Sequence, residues 1–103
     1  MEVQILKSTS KGKKYTAIFY KDGKKVKTTH FGFISKSDPN NDYTKHGDDK
    51  RKERYLDRHR KRENWNDYMS AGALSRWILW NKKTLSSSIA DYLKRFKLRK
   101  YKK

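Results

Sequence analysis

The sequence predicts an α+β fold in which an N-terminal three-stranded antiparallel sheet is followed by three helices. Three observations carry that prediction. β-branched and aromatic residues crowd three short runs before residue 32, an Asp-Gly pair separates the last two runs, and apolar residues spaced three and four apart mark the second half of the chain.

The first run is Val3 to Leu6, the second Lys14 to Tyr20 and the third Lys25 to Phe31. Each is rich in residues that fit a pleated, half-buried surface, so each reads as a strand. Lys21-Asp22-Gly23-Lys24 between the second and third is the strongest short hairpin signal, because a tight two-residue turn needs positive φ at both central positions. Alternation puts Tyr15, Ala17 and Phe19 on one face and Thr16, Ile18 and Tyr20 on the other, and neither face is polar enough to show which one is buried. From Gly32 to Gly47 turn formers dominate, including Ser35-Lys36-Ser37-Asp38-Pro39, and this is the one long connection.

The first helix is expected from Asp48 or Asp49 to about Glu63, with the carboxylates capping free amides at the positive end of the helix dipole. Tyr55, Leu56 and His59 form its narrow apolar stripe. The remainder is charge, so the helix presents a cationic face to something. A second helix, Ala71 to Asn81, places Leu74, Trp77 and Ile78 on one side and forms the centre of the core, with Trp80 at its edge. Thr84 caps a third helix whose Leu85, Ile89, Tyr92 or Leu93, and Phe96 follow the helical period. The Trp77 and Phe96 helices are expected to pack on the sheet. Residues 1–96 then make one domain, and residues 97–103 a basic tail that orders on a partner.

Composition bounds the function. In 103 residues, 28 Lys and Arg against 11 Asp and Glu leave a formal charge of +17, while the apolar fraction is only 33%. Fourteen aromatic side chains, three Trp, seven Tyr and four Phe, supply the burial that so few apolar positions must provide. No cysteine is present, which excludes a disulfide scaffold, a Cys-based zinc finger and a thiol nucleophile. No apolar run is long enough to span a bilayer and no secretory h-region precedes the first strand, so a chain neither inserted nor secreted is expected. The charge divides into +6 over residues 1–34, −2 over 35–49, +5 over 50–63, +2 over 64–83 and +6 over 84–103. The folded body itself is therefore cationic, and self-repulsion on this scale is tolerated most easily beside a polyanion.

Nucleic acid, double-stranded DNA first, is the expected partner; an anionic membrane and an acidic protein are the alternatives. The residues expected to meet phosphates are Lys24, Lys25 and Lys27 on the hairpin, Arg51, Arg54, Arg58 and Arg62 on the basic helix, and Lys94, Arg95, Lys97, Arg99 and Lys100 toward the C-terminus. On the basic helix Glu53–Asp57, Arg54–Arg58 and Arg58–Arg62 are like-charged pairs at i, i+4. A helix selected only for solubility would alternate signs, so the pattern favours an anionic partner. Trp65, Trp77 and Trp80 invite base stacking, but their spacing fits a core better, with Trp65 the best placed for a surface contact.

Asp42, His46, Asp48, Asp49 and Glu53 are the only cluster that resembles a metal-dependent nuclease site, and His46, His59 and Asp42 the only one that resembles a zinc site. The spacing matches neither, and helix capping with Lys and Arg pairing accounts for the acids. A non-enzymatic protein without metal or cofactor is expected.

Thr29-His30-Phe31-Gly32, Asp42-Tyr43-Thr44-Lys45-His46, the helix Arg51 to Trp65, Ala71 to Leu85 and Ser87 to Phe96 form a set. Across roughly residues 25 to 96 this set resembles a family of small basic proteins of uncharacterised function from giant double-stranded DNA viruses of algae and amoebae. The resemblance implies a viral origin, a place in the virion or infected cell, and no catalytic residues. It leaves two roles: a genome-associated protein, or a minor capsid-associated or scaffold protein docked on acidic capsid proteins or the inner membrane.

Overall fold

The computed structural model describes residues 1–101, and its chain order begins with three strands, β1 (Glu2–Lys7), β2 (Lys13–Lys21) and β3 (Lys24–Phe33). β1 pairs antiparallel with β2 from Glu2↔Tyr20 to Lys7↔Tyr15, and β2 pairs antiparallel with β3 across the hairpin. Asp22 and Gly23 have φ of 52° and 78°, so both central residues of the turn take the left-handed conformation that the Asp-Gly pair predicted. A bulge between Phe19 and Tyr20 shifts the register near the hairpin end.

The buried face of the sheet is that of Val3, Ala17, Phe19 and Phe31. It meets Leu74, Ile78, Leu79 and Tyr92 from the helical half in one core. Full burial of each large apolar side chain contributes about 1.5–3 kcal/mol, which is how a chain poor in such residues still folds. The α+β class and the N-terminal antiparallel sheet are as the sequence predicts, and the helical half differs in its details.

Four helices follow the sheet: α1 (Tyr43–His46), α2 (Asp49–His59), α3 (Ala71–Leu74) and α4 (Leu85–Arg95). α1 falls within the expected long connection; it is a single turn capped by Asp42, which accepts from the Thr44 amide at 3.0 Å. α2 ends at His59 and not near Glu63. Beyond it Arg60, Lys61 and Arg62 continue as turns, the Arg62 and Glu63 amides donating to His59 O at 3.0 and 3.2 Å, and Asn64 takes the Asn66 amide at 3.0 Å to open a further turn.

The helix expected over Ala71 to Asn81 is α3 followed by a π-helical segment, Ser75–Leu79. The Trp80 amide donates to Ser75 O at 3.0 Å, five residues back, and Arg76 Nη1 closes the end on Trp80 O at 2.9 Å. The wider turn brings Leu79 beside Ile78 onto the sheet and leaves Trp77 only half-buried at the flank of the core. Gly32 makes this approach possible. Its φ is +85°, and a Cβ there would lie 2.8 Å from Leu79 Cδ1 and 3.1 Å from Lys14 Cβ.

α4 is capped by Thr84 as expected, its Oγ1 accepting from the Ser87 amide at 3.2 Å. Tyr92 is fully buried and donates its hydroxyl to Tyr68 O at 2.5 Å. Residues 97–101, expected to be part of a free tail, instead return to the sheet. Lys97 turns the chain with φ 55°, Leu98 enters the core, and a fourth strand, β4 (Arg99–Lys100), pairs parallel with β1 at Glu2 and Val3. The strand order is β3-β2-β1-β4. Tyr101 stacks on Tyr20 at 3.6 Å. Lys102 and Lys103 of the expected tail lie outside the described residues.

Candidate nucleic-acid interface

Asp48 starts α2 by accepting from the Lys50 and Arg51 amides at 3.0 and 3.3 Å. Those bonds, the one from Arg51 foremost, hold its carboxyl below the usual range. From this cap the helix carries Arg51, Arg54 and Tyr55, then Arg58 and His59, at spacings of three and four. Such spacing sets them on one side. That side forms a wall of a cleft of about 450 Å³, whose other walls come from the Lys13 end of β2, Phe33 of β3, and Ser75 and Trp80. The cationic stripe read in the sequence therefore borders a concave site.

The charges in the cleft divide into paired and unpaired. Arg51 Nη2 lies 2.6 Å from Asp38 Oδ2, Lys14 is ion-paired with the buried Asp42, and His59 Nδ1 sits 2.7 Å from Glu63 Oε1. Lys13, Arg54 and Arg58 are exposed and have no carboxylate partner among the described residues. Three cations with free donors thus converge on one hollow.

Its floor is aromatic. Tyr55 stacks on Trp80 at 4.3 Å with the rings 3° from parallel, and His59, one turn along α2, also stacks on Tyr55 at 4.3 Å and 26°. Burial pushes the Tyr55 phenol up, so it stays neutral. His46 leans on Trp80 at 5.4 Å, and burial first, then the Arg51 guanidinium, holds its imidazole below the usual range. Its Nδ1 accepts from the Asp48 amide at 2.9 Å.

The other expected phosphate contacts lie elsewhere. Lys24, Lys25 and Lys27 are exposed at the hairpin end of β3, about 20–27 Å from Lys13 by strand length. Arg62 lies past the end of α2 and does not line the cleft, so Arg58–Arg62 is not an intrahelical pair. Lys94 and Arg95 end α4; Arg95 lies 3.8 Å over Trp77 and 3.4 Å from Asp91. The register puts Arg99 and Lys25 in one row through Glu2 and Tyr20, and Lys100 and Lys27 in the next through Val3 and Phe19. Three strand spacings make each row about 14 Å wide. Arg99 and Lys100 on β4 and Lys25 and Lys27 on β3 therefore stand on opposite edges of the sheet, at the end away from Lys13.

Three of the four acidic candidates are engaged in the fold, while Glu53 is exposed on α2 with no ion-pair partner among the described residues. Asp42 caps α1 and pairs with Lys14, Asp48 caps α2, and Asp49 accepts the Tyr43 hydroxyl. Among the described residues no three His, Asp or Glu side chains come together as a metal site. His46 and His59 stand at opposite ends of the aromatic stack with Trp80 and Tyr55 between them, which separates the two expected zinc ligands. Of the tryptophans, Trp80 reaches the cleft, and Trp77 lies between the Arg76 and Arg95 guanidinium groups at 4.2 and 3.8 Å. Trp65 carries Arg76 at 5.3 Å and gives its carbonyl to Trp77 Nε1. Lys13, Phe33 and the stacking of Trp80 on Tyr55 were not singled out from sequence; only Tyr55 and His59 at i, i+4 hinted at the stack.

Fold and cleft together define a small, strongly cationic α+β protein whose basic helix borders an aromatic-floored hollow. The chain belongs to a family of unknown function (DUF5754), whose pattern matches residues 3–59. That stretch runs from β1 to the last residue of α2, so it takes in the sheet hairpin and the arginine wall. No curated protein and no solved structure matches the chain. None of the helices described is long and apolar enough to cross a membrane.

Proposed function

We propose that this protein is a non-enzymatic nucleic-acid-binding protein that holds phosphates largely without regard to sequence, in the setting of a large DNA virus that the family resemblance implies. The observation that carries the reading is the cleft beside α2, where Lys13, Arg54 and Arg58 are exposed and unpaired among the described residues. Guanidinium groups meet phosphate oxygens in forked geometry and displace counterions, so affinity comes with salt dependence. Lys25 and Lys27 on one sheet edge and Arg99 and Lys100 on the other give a longer strand further cations to contact. Contacts to phosphate position a partner and carry no base code, hence the lack of sequence preference.

Titrating the purified chain with duplex and single-stranded oligonucleotides of unrelated sequence, at low and moderate salt, tests this. Binding to several sequences with similar affinity, weakening steeply with salt, is the expected result. Absence of binding at low salt, or salt-independent binding, refutes it and leaves docking on acidic shell proteins as the role to test.

A further inference from the structure

We infer that the α2 cleft takes an unpaired nucleic-acid strand, with one base stacked on His59 and the flanking phosphates on Arg54 and Arg58. This deepens, and rests on, the reading of the protein as a nucleic-acid binder. The aromatic stack in the floor is closed at one end and open at the other. His46 leans on Trp80 at 5.4 Å and 58°, whereas His59 has no aromatic neighbour besides Tyr55 among the described residues, and its side chain is 40% exposed where it lines the cleft. Glu63 Oε1 lies 2.7 Å from His59 Nδ1, beside the exposed ring. Phe33, 69% exposed, adds a second apolar surface to the cleft from β3.

The charges complement this floor. Arg54 and Arg58 lie one turn apart on α2, Arg58 next to His59 in sequence, and all three line the cleft. A base that continues the stack brings its own 5′ and 3′ phosphates to the rim where these guanidinium groups stand. In a duplex both faces of every base are covered by its neighbours, so a duplex offers this cleft only its backbone. An unpaired strand offers a free π-face, which aromatic platforms bind whatever the base. The duplex expected from sequence is thereby narrowed, at this cleft, to a single strand.

The test compares three probes on the wild-type chain at low salt: a thymidine decamer carrying one central 2-aminopurine, an abasic backbone of equal length, and a duplex of equal length. The decamer should bind about tenfold more tightly than the abasic strand, and its 2-aminopurine emission should be quenched on binding. His59→Ala should lose about tenfold in affinity together with the quench, and His59→Phe should restore both. Equal binding of decamer and abasic strand, stronger binding of the duplex, or a quench unchanged in His59→Ala overturns the inference while leaving phosphate binding intact. If none of the three probes binds, the underlying reading fails instead.

Discussion

Replacing Arg54 and Arg58 by alanine removes two of the three unpaired cations that border the cleft and leaves the fold's ion pairs, Lys14–Asp42 and Arg51–Asp38, untouched. Each phosphate neutralised on a single strand contributes about −0.7 to the slope of log K against log salt, so losing two contacts should flatten the slope by about 1.4. Between 50 and 200 mM salt, that difference means the wild type loses roughly sevenfold more affinity than the double variant. Fluorescence anisotropy with a short labelled strand over a salt series reads the slope directly. Lys24→Ala with Lys25→Ala, an equal loss of charge at the far end of the sheet, serves as the comparison and should change the slope less. An unchanged slope in the arginine variant, or a larger change in the hairpin variant, would refute the assignment of phosphate contact to the cleft.

Three further outcomes follow from the packing. Gly32→Ala places a methyl 2.8 Å from Leu79 Cδ1 at a φ of +85°, and should cost about 1–3 kcal/mol in a urea titration; wild-type stability would contradict the close approach of the π-helical segment to β3. Asp42→Asn removes the charge opposite Lys14 in a pair whose side chains are 12% and 4% exposed, and should cost about 3 kcal/mol in the same assay; a cost within 0.5 kcal/mol, the size of an ordinary surface change, would remove the pair from the account. His46 binds a proton less readily in the folded chain than in the unfolded one, because burial, then Arg51, disfavours its charge. Its contribution is therefore fully present above the ordinary histidine pKa of about 6.5 and declines as pH falls below it. The urea midpoint should drop between about pH 7.5 and pH 5.5 by more in the wild type than in His46→Gln, and equal drops would exclude His46 as the source.

Local signals in the sequence were sufficient wherever the structure is local. The strands, the Asp22-Gly23 turn and the caps at Asp48 and Thr84 stand where propensity and side-chain chemistry put them. Tertiary packing decided the rest. Periodicity of 3.6 cannot announce a π turn, so Trp77 looked central while Leu79 is the residue that meets Gly32. Leu98 is the one aliphatic residue in an otherwise basic run, and its burial converts an expected tail into β4.

The site shows the same division. Arg51, Arg54, Tyr55, Arg58 and His59 were legible as a stripe because they share one helix face. The cleft was not, because Lys13, Phe33 and Trp80 reach it from three other elements that no short-range pattern connects to α2. The hairpin and C-terminal cations, separate in sequence, come to the same end of the sheet through the β1–β4 pairing, a long-range contact that no short-range pattern announces. One charge total therefore resolves into cations toward opposite ends of the sheet, and the cleft beside α2 is where Lys13, Arg54 and Arg58, unpaired among the described residues, stand beside the Trp80–Tyr55–His59 stack.

Backbone amide mapping separates these two regions in a single titration. With a short unlabelled single strand added to the 15N-labelled chain, the largest amide shifts should fall on Lys13, Phe33, Arg51 to His59 and Trp80, the residues of the cleft. Shifts confined to Lys24 to Lys27 and Arg99 to Tyr101, or no shifts at low salt, would contradict the proposal that the α2 cleft is where this protein holds nucleic acid.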